Sequence, residues 1–199
     1  MLQSRAHART ASNFLLLAAA MLVFTAACSS GEKSPTAATM SPAHEAHAAH
    51  KRVNNGDLTP EQLQAIAQVR NATRFLDDTA NARRAGYTNQ FPAGCVQTAD
   101  GRAAQGFHFM NEGLVDDKVE LLRPELVMYE PQPNGTLQLV GVDYVVPLGA
   151  SEKAPTLLGQ EFVAIDALGV WALHIWAWRP NPDGLFAMFN PSVSCALAR

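Results

Sequence analysis

Thr136–Val146 (TLQLVGVDYVV) is the stretch that decides the fold of this chain. Its residues are mostly β-branched, aromatic or otherwise apolar, and the turn-forming Asn134-Gly135 precedes it, which is typical of a buried β-strand. Three further segments have a similar composition and are each bounded by glycine, proline or asparagine: Gln105–Asn111 (QGFHFMN), Glu125–Glu130 (ELVMYE) and Trp171–Trp178 (WALHIWAW). Because no long helical pattern separates these four segments, they predict a mainly antiparallel, curved β-sheet.

The segment before the strands has a helical pattern. Thr59-Pro60-Glu61-Gln62 has the residues of a helix start: a threonine N-cap, a proline at the first helical position and a glutamine that completes a capping box. Apolar residues then recur at helical spacing as far as Leu76, where Asp77-Asp78 interrupts them and offers a cap for a second short helix. Residues 58–199 are therefore predicted to form one α+β domain, with an N-terminal helix or broken helix pair packed on the sheet.

Residues 1–27 have the layout of an export signal. An arginine-bearing start is followed by Phe14–Phe24 (FLLLAAAMLVF), an apolar run that is too short to span a bilayer. Thr25-Ala26-Ala27-Cys28 resembles the lipobox of bacterial lipoproteins, although that family usually has leucine or valine where Thr25 stands. The resemblance implies cleavage before Cys28 and acylation of its thiol, and two or more acyl chains would hold the protein stably on a membrane. The alternative is ordinary secretion.

Residues 28–57 contain almost no large apolar side chain, and they are predicted to be a disordered tether that follows the lipidated cysteine. Ser29 follows Cys28, and in Gram-negative lipoproteins the absence of aspartate at that place favours the outer membrane. We therefore expect a lipid-anchored protein of the cell envelope, on the outer membrane and facing the periplasm or the cell surface. His44, His47 and His50 lie in the tether, where they either bind Zn or Cu transiently or are incidental.

Charge and cysteine content narrow the function classes. Loss of residues 1–27 removes two arginines and no acid, so 13 basic and 18 acidic residues remain and the net charge is −5. An acidic chain without a basic stripe is not expected to bind nucleic acid. Cys95 and Cys195 are the cysteines that remain after Cys28, and in an exported protein such a pair predicts a disulfide. Two buried thiols or two soft metal ligands are the alternatives.

Two histidines in strand segments are the candidates for chemistry. His108 and His174 are the histidines of the domain, and acidic residues lie in the other predicted strands or at their ends: Glu125, Glu130 and Asp143. Two imidazoles and a carboxylate suit Zn, Fe(II), Mn or Cu(II). By period-two alternation, Asp143 is expected to share a core face with Leu137, Leu139 and Val145, where an acid needs a partner or a site. The alternatives are an acid–base site without metal and two structural histidines.

Aromatic and polar residues near these strands are candidates for a ligand pocket. The pocket candidates are Trp176, Trp178, Asn111 and Tyr129. Clusters that contain tryptophan are more often part of the core than of a pocket, so the core remains the alternative. No GxSxG elbow, phosphate-binding glycine loop or CxxC pair is present in the sequence.

Six motifs together resemble a widespread family of uncharacterised bacterial secreted and lipid-anchored proteins, over roughly residues 72–195. The motifs are His108–Asn111 (HFMN), Arg123–Pro131 (RPELVMYEP), Leu139–Val146 (LVGVDYVV), Leu173–Trp178 (LHIWAW), Asn181–Phe186 (NPDGLF) and Asn190–Cys195 (NPSVSC). The resemblance supports the boundaries of the domain and implies no reaction.

Two functions follow as hypotheses. The first is a binding or structural module, displayed from the membrane through its lipid anchor, that binds a small molecule, an ion or an envelope protein. The second is a metal-binding protein or metal-dependent enzyme that uses His108 and His174. Convergence of the two imidazoles with an acid between them would favour the second hypothesis.

Overall fold

A computed structural model describes residues 57–199 of the chain. The predicted signal segment 1–27, Cys28, and the tether as far as residue 56 lie outside the described residues, as do the three tether histidines. The described residues fall within one compact unit of the chain. None of their helices has the length and apolar character needed to cross a bilayer.

Six strands form one sheet, in the order β1-β2-β3-β4-β8-β7, and a separate two-stranded hairpin pairs β5 with β6. Every pairing is antiparallel, and the six-stranded sheet is curled like half of a barrel, which confirms the predicted α+β fold with a curved antiparallel sheet. The strands are β1 Asn89–Gln97, β2 Ala104–Met110, β3 Leu126–Pro131, β4 Leu137–Pro147, β5 Thr156–Leu157, β6 Gln160–Glu161, β7 Val163–Ile165 and β8 Val170–Ile175.

The N-terminal helical region is a broken helix. Helix α1 (Pro60–Thr73) begins with the predicted capping box, in which the Thr59 side chain accepts from the Gln62 N–H and the Gln62 side chain accepts from the Thr59 N–H. A 3-10 turn, Arg74–Asp77, continues α1, and Asp78 caps the short helix α2 (Thr79–Arg84). Asp77 also accepts a hydrogen bond from the backbone N–H of Leu139, so the break in the helix ties it to β4.

The two faces of the sheet bury different side chains. We call the face that packs on α1 the helix face; its buried residues include Val127, Tyr129, Val142, Tyr144 and Leu173. The opposite face, which we call the site face, carries a smaller apolar cluster that includes Leu126, Val145, Ile165, Ala172 and Met188. Successive residues of a strand point to opposite faces, so β4 contributes to both cores.

One expectation about β4 was wrong. Asp143 was expected to share its face with Leu137 and Leu139, but those two leucines pack with the core of the helix face. The pairing of β3 with β4 shifts register between Met128 and Tyr129, where Leu139 and Gly141 face successive residues of β3. This bulge inserts one extra residue into β4 and reverses the alternation on its two sides. Asp143 therefore shares the site face with Val145 but not with the leucines.

Cys95 and Cys195 form a disulfide with an S–S distance of 2.00 Å, and they are 100 residues apart in the chain. The bond joins β1 to the last segment of the domain, inside the core of the helix face. A disulfide between buried cysteines is compatible with an exported protein.

Candidate metal centre

His108, Asp143 and His174 converge on the site face from three different strands. Asp143 on β4 and His174 on β8 are directly opposite partners in the sheet, and the His174 Nε2 atom lies 3.6 Å from Asp143 Oδ2. His108 lies on β2, with β3 between it and Asp143, so in a flat sheet the two backbones would be about 10 Å apart. The curl of the sheet shortens the distance between their side chains. One ligand atom from each of the three residues lies within 4.8 Å of the other two.

The arrangement of the rings is fixed by close packing. The His108 and His174 rings meet edge to face with centroids 5.7 Å apart, and Trp176 lies nearly parallel to His174 at 6.3 Å. Gly141 lies close to Met128 and Ile175. A Cβ at position 141 would stand 2.5 Å from the Met128 Cε and 2.8 Å from the Ile175 carbonyl oxygen. A side chain at position 141 would therefore collide with the backbone of β8 and displace the strand that carries His174 from the strand that carries Asp143.

The three side chains are buried, and two of them, His108 and Asp143, each keep an atom without a hydrogen-bond partner. His108 is 1% exposed, and Asp143 and His174 are each 4% exposed. Among the side chains of residues 57–199, the buried nitrogen and oxygen atoms without a hydrogen-bond partner are His108 Nδ1 and Asp143 Oδ1. Both belong to this cluster. Since a buried polar atom without a partner costs about 1–3 kcal/mol, two such atoms at one place make the cluster a candidate site for a water or an ion.

Burial also changes the protonation of the cluster. It lowers the pKa of His108 to about 4, with partial opposition from the backbone of Gly106, so that this ring is neutral near pH 7. Burial, and then the Glu125 carboxylate, hold the pKa of Asp143 well above its usual range, although the Leu173 and Tyr144 backbones oppose the shift. No lysine or arginine lines the cavity around these groups in the described part of the chain. The carboxyl group of Asp143 therefore needs a proton or a bound cation for neutralisation.

The cluster opens onto a small cavity of about 30 Å³. Its walls are largely apolar and include Phe91, Leu126, Val145, Ala172 and Met188. Because one water needs about 10–15 Å³ measured in this way, the space suits a single ion with one small ligand rather than an organic substrate.

The structure brings together only some of the predicted ligands. Glu125 precedes β3 and does not line the cavity; its Oε2 accepts from the Val145 N–H. Glu130 is an ion-pair partner of Arg179 and accepts from the Ser194 N–H, at a distance from the cluster. Within the described residues, the group that could hold an ion consists of His108, Asp143 and His174 alone.

The four predicted pocket residues do not line one common pocket. Trp176 and Trp178 line a groove of about 360 Å³ beside α1, together with Ile66 and Arg70. Asn111 lines a different groove of about 240 Å³, and its amide donates to the Ala85 carbonyl and accepts from the Gly113 N–H. Tyr129 is a core residue whose hydroxyl donates to the Leu76 carbonyl.

Gln105 lines the same cavity as the three converging residues, and the sequence reasoning did not identify it. The signal available was the glycine of the QGFHF run, which marks a position where a strand can bulge and turn a side chain to its other face.

Comparisons with protein-family models, curated proteins and solved structures found no match to this chain. The functional argument therefore rests on the geometry and chemistry of the cluster.

Proposed function

We propose that the domain binds one divalent transition-metal ion through His108, Asp143 and His174. The observation that carries this proposal is that the two buried side-chain atoms without a hydrogen-bond partner, in the part of the chain that the structure describes, both lie in this cluster. A metal ion would serve as the missing partner of both atoms, because a neutral imidazole nitrogen and a carboxylate oxygen are each metal ligands.

The distances support an ion at this place. Ligands held at about 2.1 Å from one tetrahedral ion lie about 3.4 Å from each other. The three ligand atoms lie within 4.8 Å of one another, so each pair needs to close by about 1.4 Å at most. Small rotations of buried side chains, without any change in the sheet, are sufficient for that movement.

The ligand set favours Zn²⁺ or Cu²⁺. Imidazole nitrogen binds both ions well, and they stand at the strong end of the affinity order for divalent metals. Neither ion requires a reducing compartment, which agrees with the Cys95–Cys195 disulfide. Three protein ligands leave at least one coordination position for a small molecule, as in catalytic rather than structural zinc sites.

The cell envelope is the place we propose for this metal site. The proposal rests on the lipobox-like Thr25-Ala26-Ala27-Cys28 and on the preceding apolar run, with the membrane reached through acyl chains on Cys28. Retention of the protein in the membrane fraction, and its release by Cys28→Ser, would test the anchor separately from the metal.

Metal content tests the site. The full chain is prepared with alanine at the other four histidines, His7, His44, His47 and His50, and is loaded with Zn²⁺ or Cu²⁺, desalted and measured by ICP-MS. We expect about one ion per chain, loss of that ion in His108→Ala/His174→Ala, and full retention in Glu130→Gln, which alters an acid outside the cluster. No uptake by the parent protein, or equal uptake by the double variant, would contradict the proposal.

A second candidate function is the binding of an amphipathic small molecule in the groove beside α1. The groove has about 360 Å³, which is within the range of ligand pockets, and Trp176, Trp178 and Leu63 give it an apolar lining. Arg70 lies at the same groove, so the ligand class is an apolar molecule that carries an acidic group.

Anilinonaphthalene sulfonate is a suitable probe of this groove because it is apolar and anionic. We expect the folded protein to bind the probe and Leu63→Asp to abolish binding, since Leu63 is 53% exposed and the change places a negative charge at the groove. Equal binding by the variant would exclude the groove.

A further inference from the structure

Gln105 is a buried polar residue whose role the proposed metal site does not account for. It is 4% exposed and lines the cavity beside His108, Asp143 and His174. Its backbone belongs to β2, yet its side-chain amide makes no hydrogen bond with any residue that the structure describes. The amide nitrogen and oxygen are not among the fully buried atoms that lack a partner, so they keep accessible surface, and an amide beside the cavity offers two donors and an acceptor to a small ligand there.

A glycine bulge directs Gln105 to the cavity. In a regular strand, residues 105 and 108 would face opposite sides. The pairing of β1 with β2 instead joins Val96 to Gly106 and Gln97 to Ala104, which leaves Gln105 as an extra residue on β2. The bulge requires glycine, because Gly106 has φ +88° and a Cβ there would lie 2.2 Å from the Tyr129 carbonyl oxygen. Bulges of this kind change the direction of a side chain next to a functional site.

We propose that the Gln105 amide binds the small exogenous ligand that occupies the remaining coordination position of the metal ion. This inference rests on the proposed metal site. Gln105 would act as a positioning residue rather than a metal ligand, because an amide oxygen is a weaker ligand than imidazole or carboxylate for the ions that this site favours.

The chemical class of the exogenous ligand follows from the size and charge of the site. A cavity of about 30 Å³ admits water or an anion of two or three atoms and excludes an organic substrate. A divalent ion with one carboxylate and two neutral imidazoles carries a net positive charge, which favours an anion. The Gln105 N–H groups can donate to such an anion, while the apolar walls offer it no other donor.

Azide is the probe for this inference, because it is a triatomic anion that changes the visible spectrum when it binds to Co²⁺. The full chain with the four other histidines replaced is loaded with Co²⁺, and its azide affinity is measured by absorption. We expect Gln105→Met to bind Co²⁺ at the same stoichiometry but to bind azide about 10-fold more weakly, the effect of losing about one hydrogen bond. Gln105→Glu should weaken azide further, since a carboxylate at this position repels the anion.

Met110→Leu is the matched control, because Met110 lies on the same strand β2 and packs with the site-face cluster without lining the cavity, and it should leave azide affinity within about 2-fold. Unchanged azide affinity in both Gln105 variants, with Co²⁺ bound, would overturn the inference and leave the metal site standing. A loss of Co²⁺ affinity in Gln105→Met would also overturn it, because Gln105 would then be a ligand of the ion itself. Failure of the parent protein to bind Co²⁺ would overturn the metal site and this inference together.

Discussion

The two faces of the sheet bury polar groups in opposite ways. On the helix face, the Tyr87, Tyr129 and Tyr144 hydroxyls each donate to a backbone carbonyl, at 2.7, 2.5 and 2.6 Å. On the site face, His108 and Asp143 each keep a buried atom without a partner. The same strand, β4, contributes Tyr144 to one face and Asp143 to the other, only one residue apart.

This difference separates buried polar groups that are paired within the chain from buried polar groups that are not. The three tyrosines show that the fold can satisfy a buried polar group wherever a backbone carbonyl is within reach. The unpaired atoms of the site face are therefore not a general property of the domain; within residues 57–199 they belong to two side chains, His108 and Asp143. The metal ion that we propose would be the partner of both atoms.

The largest expected change in stability is on the helix face. Replacement of both Cys95 and Cys195 by serine should lower the free energy of unfolding by about 4–5 kcal/mol, because the bond closes a loop of about 100 residues. Urea denaturation of the two proteins measures the difference. Metal uptake under native conditions should be unchanged, and its loss in a variant that still folds would show that the two faces are not independent.

Asp143→Asn should lower the affinity for metal but raise the stability of the metal-free protein. We expect metal affinity to fall by about 100-fold or more, because the amide cannot supply the negative charge that a carboxylate brings to the ion. We expect the metal-free protein to gain stability at neutral pH, because the amide has no ionisable group at a buried position where the pKa of the carboxyl group is raised. Calorimetry with and without Zn²⁺ measures both, and a loss of metal-free stability would contradict this account of the site face.

Tyr129→Phe is the corresponding change on the helix face. It removes the donor to the buried Leu76 carbonyl and should cost about 1–3 kcal/mol. Because the group is structural, the loss should be the same with and without metal. If thermal denaturation showed instead that Zn²⁺ restores the stability of this variant, the two faces would be coupled.

Glu125 makes the stability of the metal-free protein depend on pH. Burial raises the pKa of this carboxyl group to about 8, with a smaller contribution from Asp116 and Glu120 and with opposition from its own backbone and that of Val145. The folded state then holds a proton that the unfolded state, with a glutamate pKa of about 4.3, has released. The contribution of Glu125 to stability is therefore greatest below about pH 4, and it falls as the pH rises towards 8.

Glu125→Gln should remove that dependence while it keeps an acceptor for the Val145 N–H. Between pH 5 and 7 we expect the wild-type protein to lose up to about 1.4 kcal/mol more per pH unit than the variant. Denaturation series at several pH values measure the two slopes. Parallel slopes would show that Glu125 does not bind the proton in the folded state.

The local features of the fold were predictable from the sequence. The capping box at Thr59 depends on residues within one helical turn, and the antiparallel strands follow from composition and from the absence of helices between them. The pairing of Cys95 with Cys195 followed from their number and from the expected export of the chain, without any knowledge of the fold.

The site was only partly predictable. His108, His174 and Asp143 were identified as candidates by residue type, but so were Glu125 and Glu130, which the structure places elsewhere. Which of these candidates come together depends on the curl of the sheet, which brings β2 towards β4 across the intervening strand β3. Two bulges also reverse the alternation, one at Gly106 and one between Met128 and Tyr129. A period-two pattern does not detect an inserted residue. It therefore predicted Asp143 on the same face as Leu139, and it did not predict that Gln105 lines the cavity.

Anomalous diffraction from crystals of the Zn²⁺-loaded protein tests the central claim most directly. We predict one zinc peak on the site face, about 2.0–2.2 Å from His108 Nδ1, from a carboxylate oxygen of Asp143 and from a nitrogen of His174. A cluster without a peak, in crystals that contain zinc, would contradict the claim. Ordered water bound to both His108 Nδ1 and Asp143 Oδ1 would then identify these groups as structural.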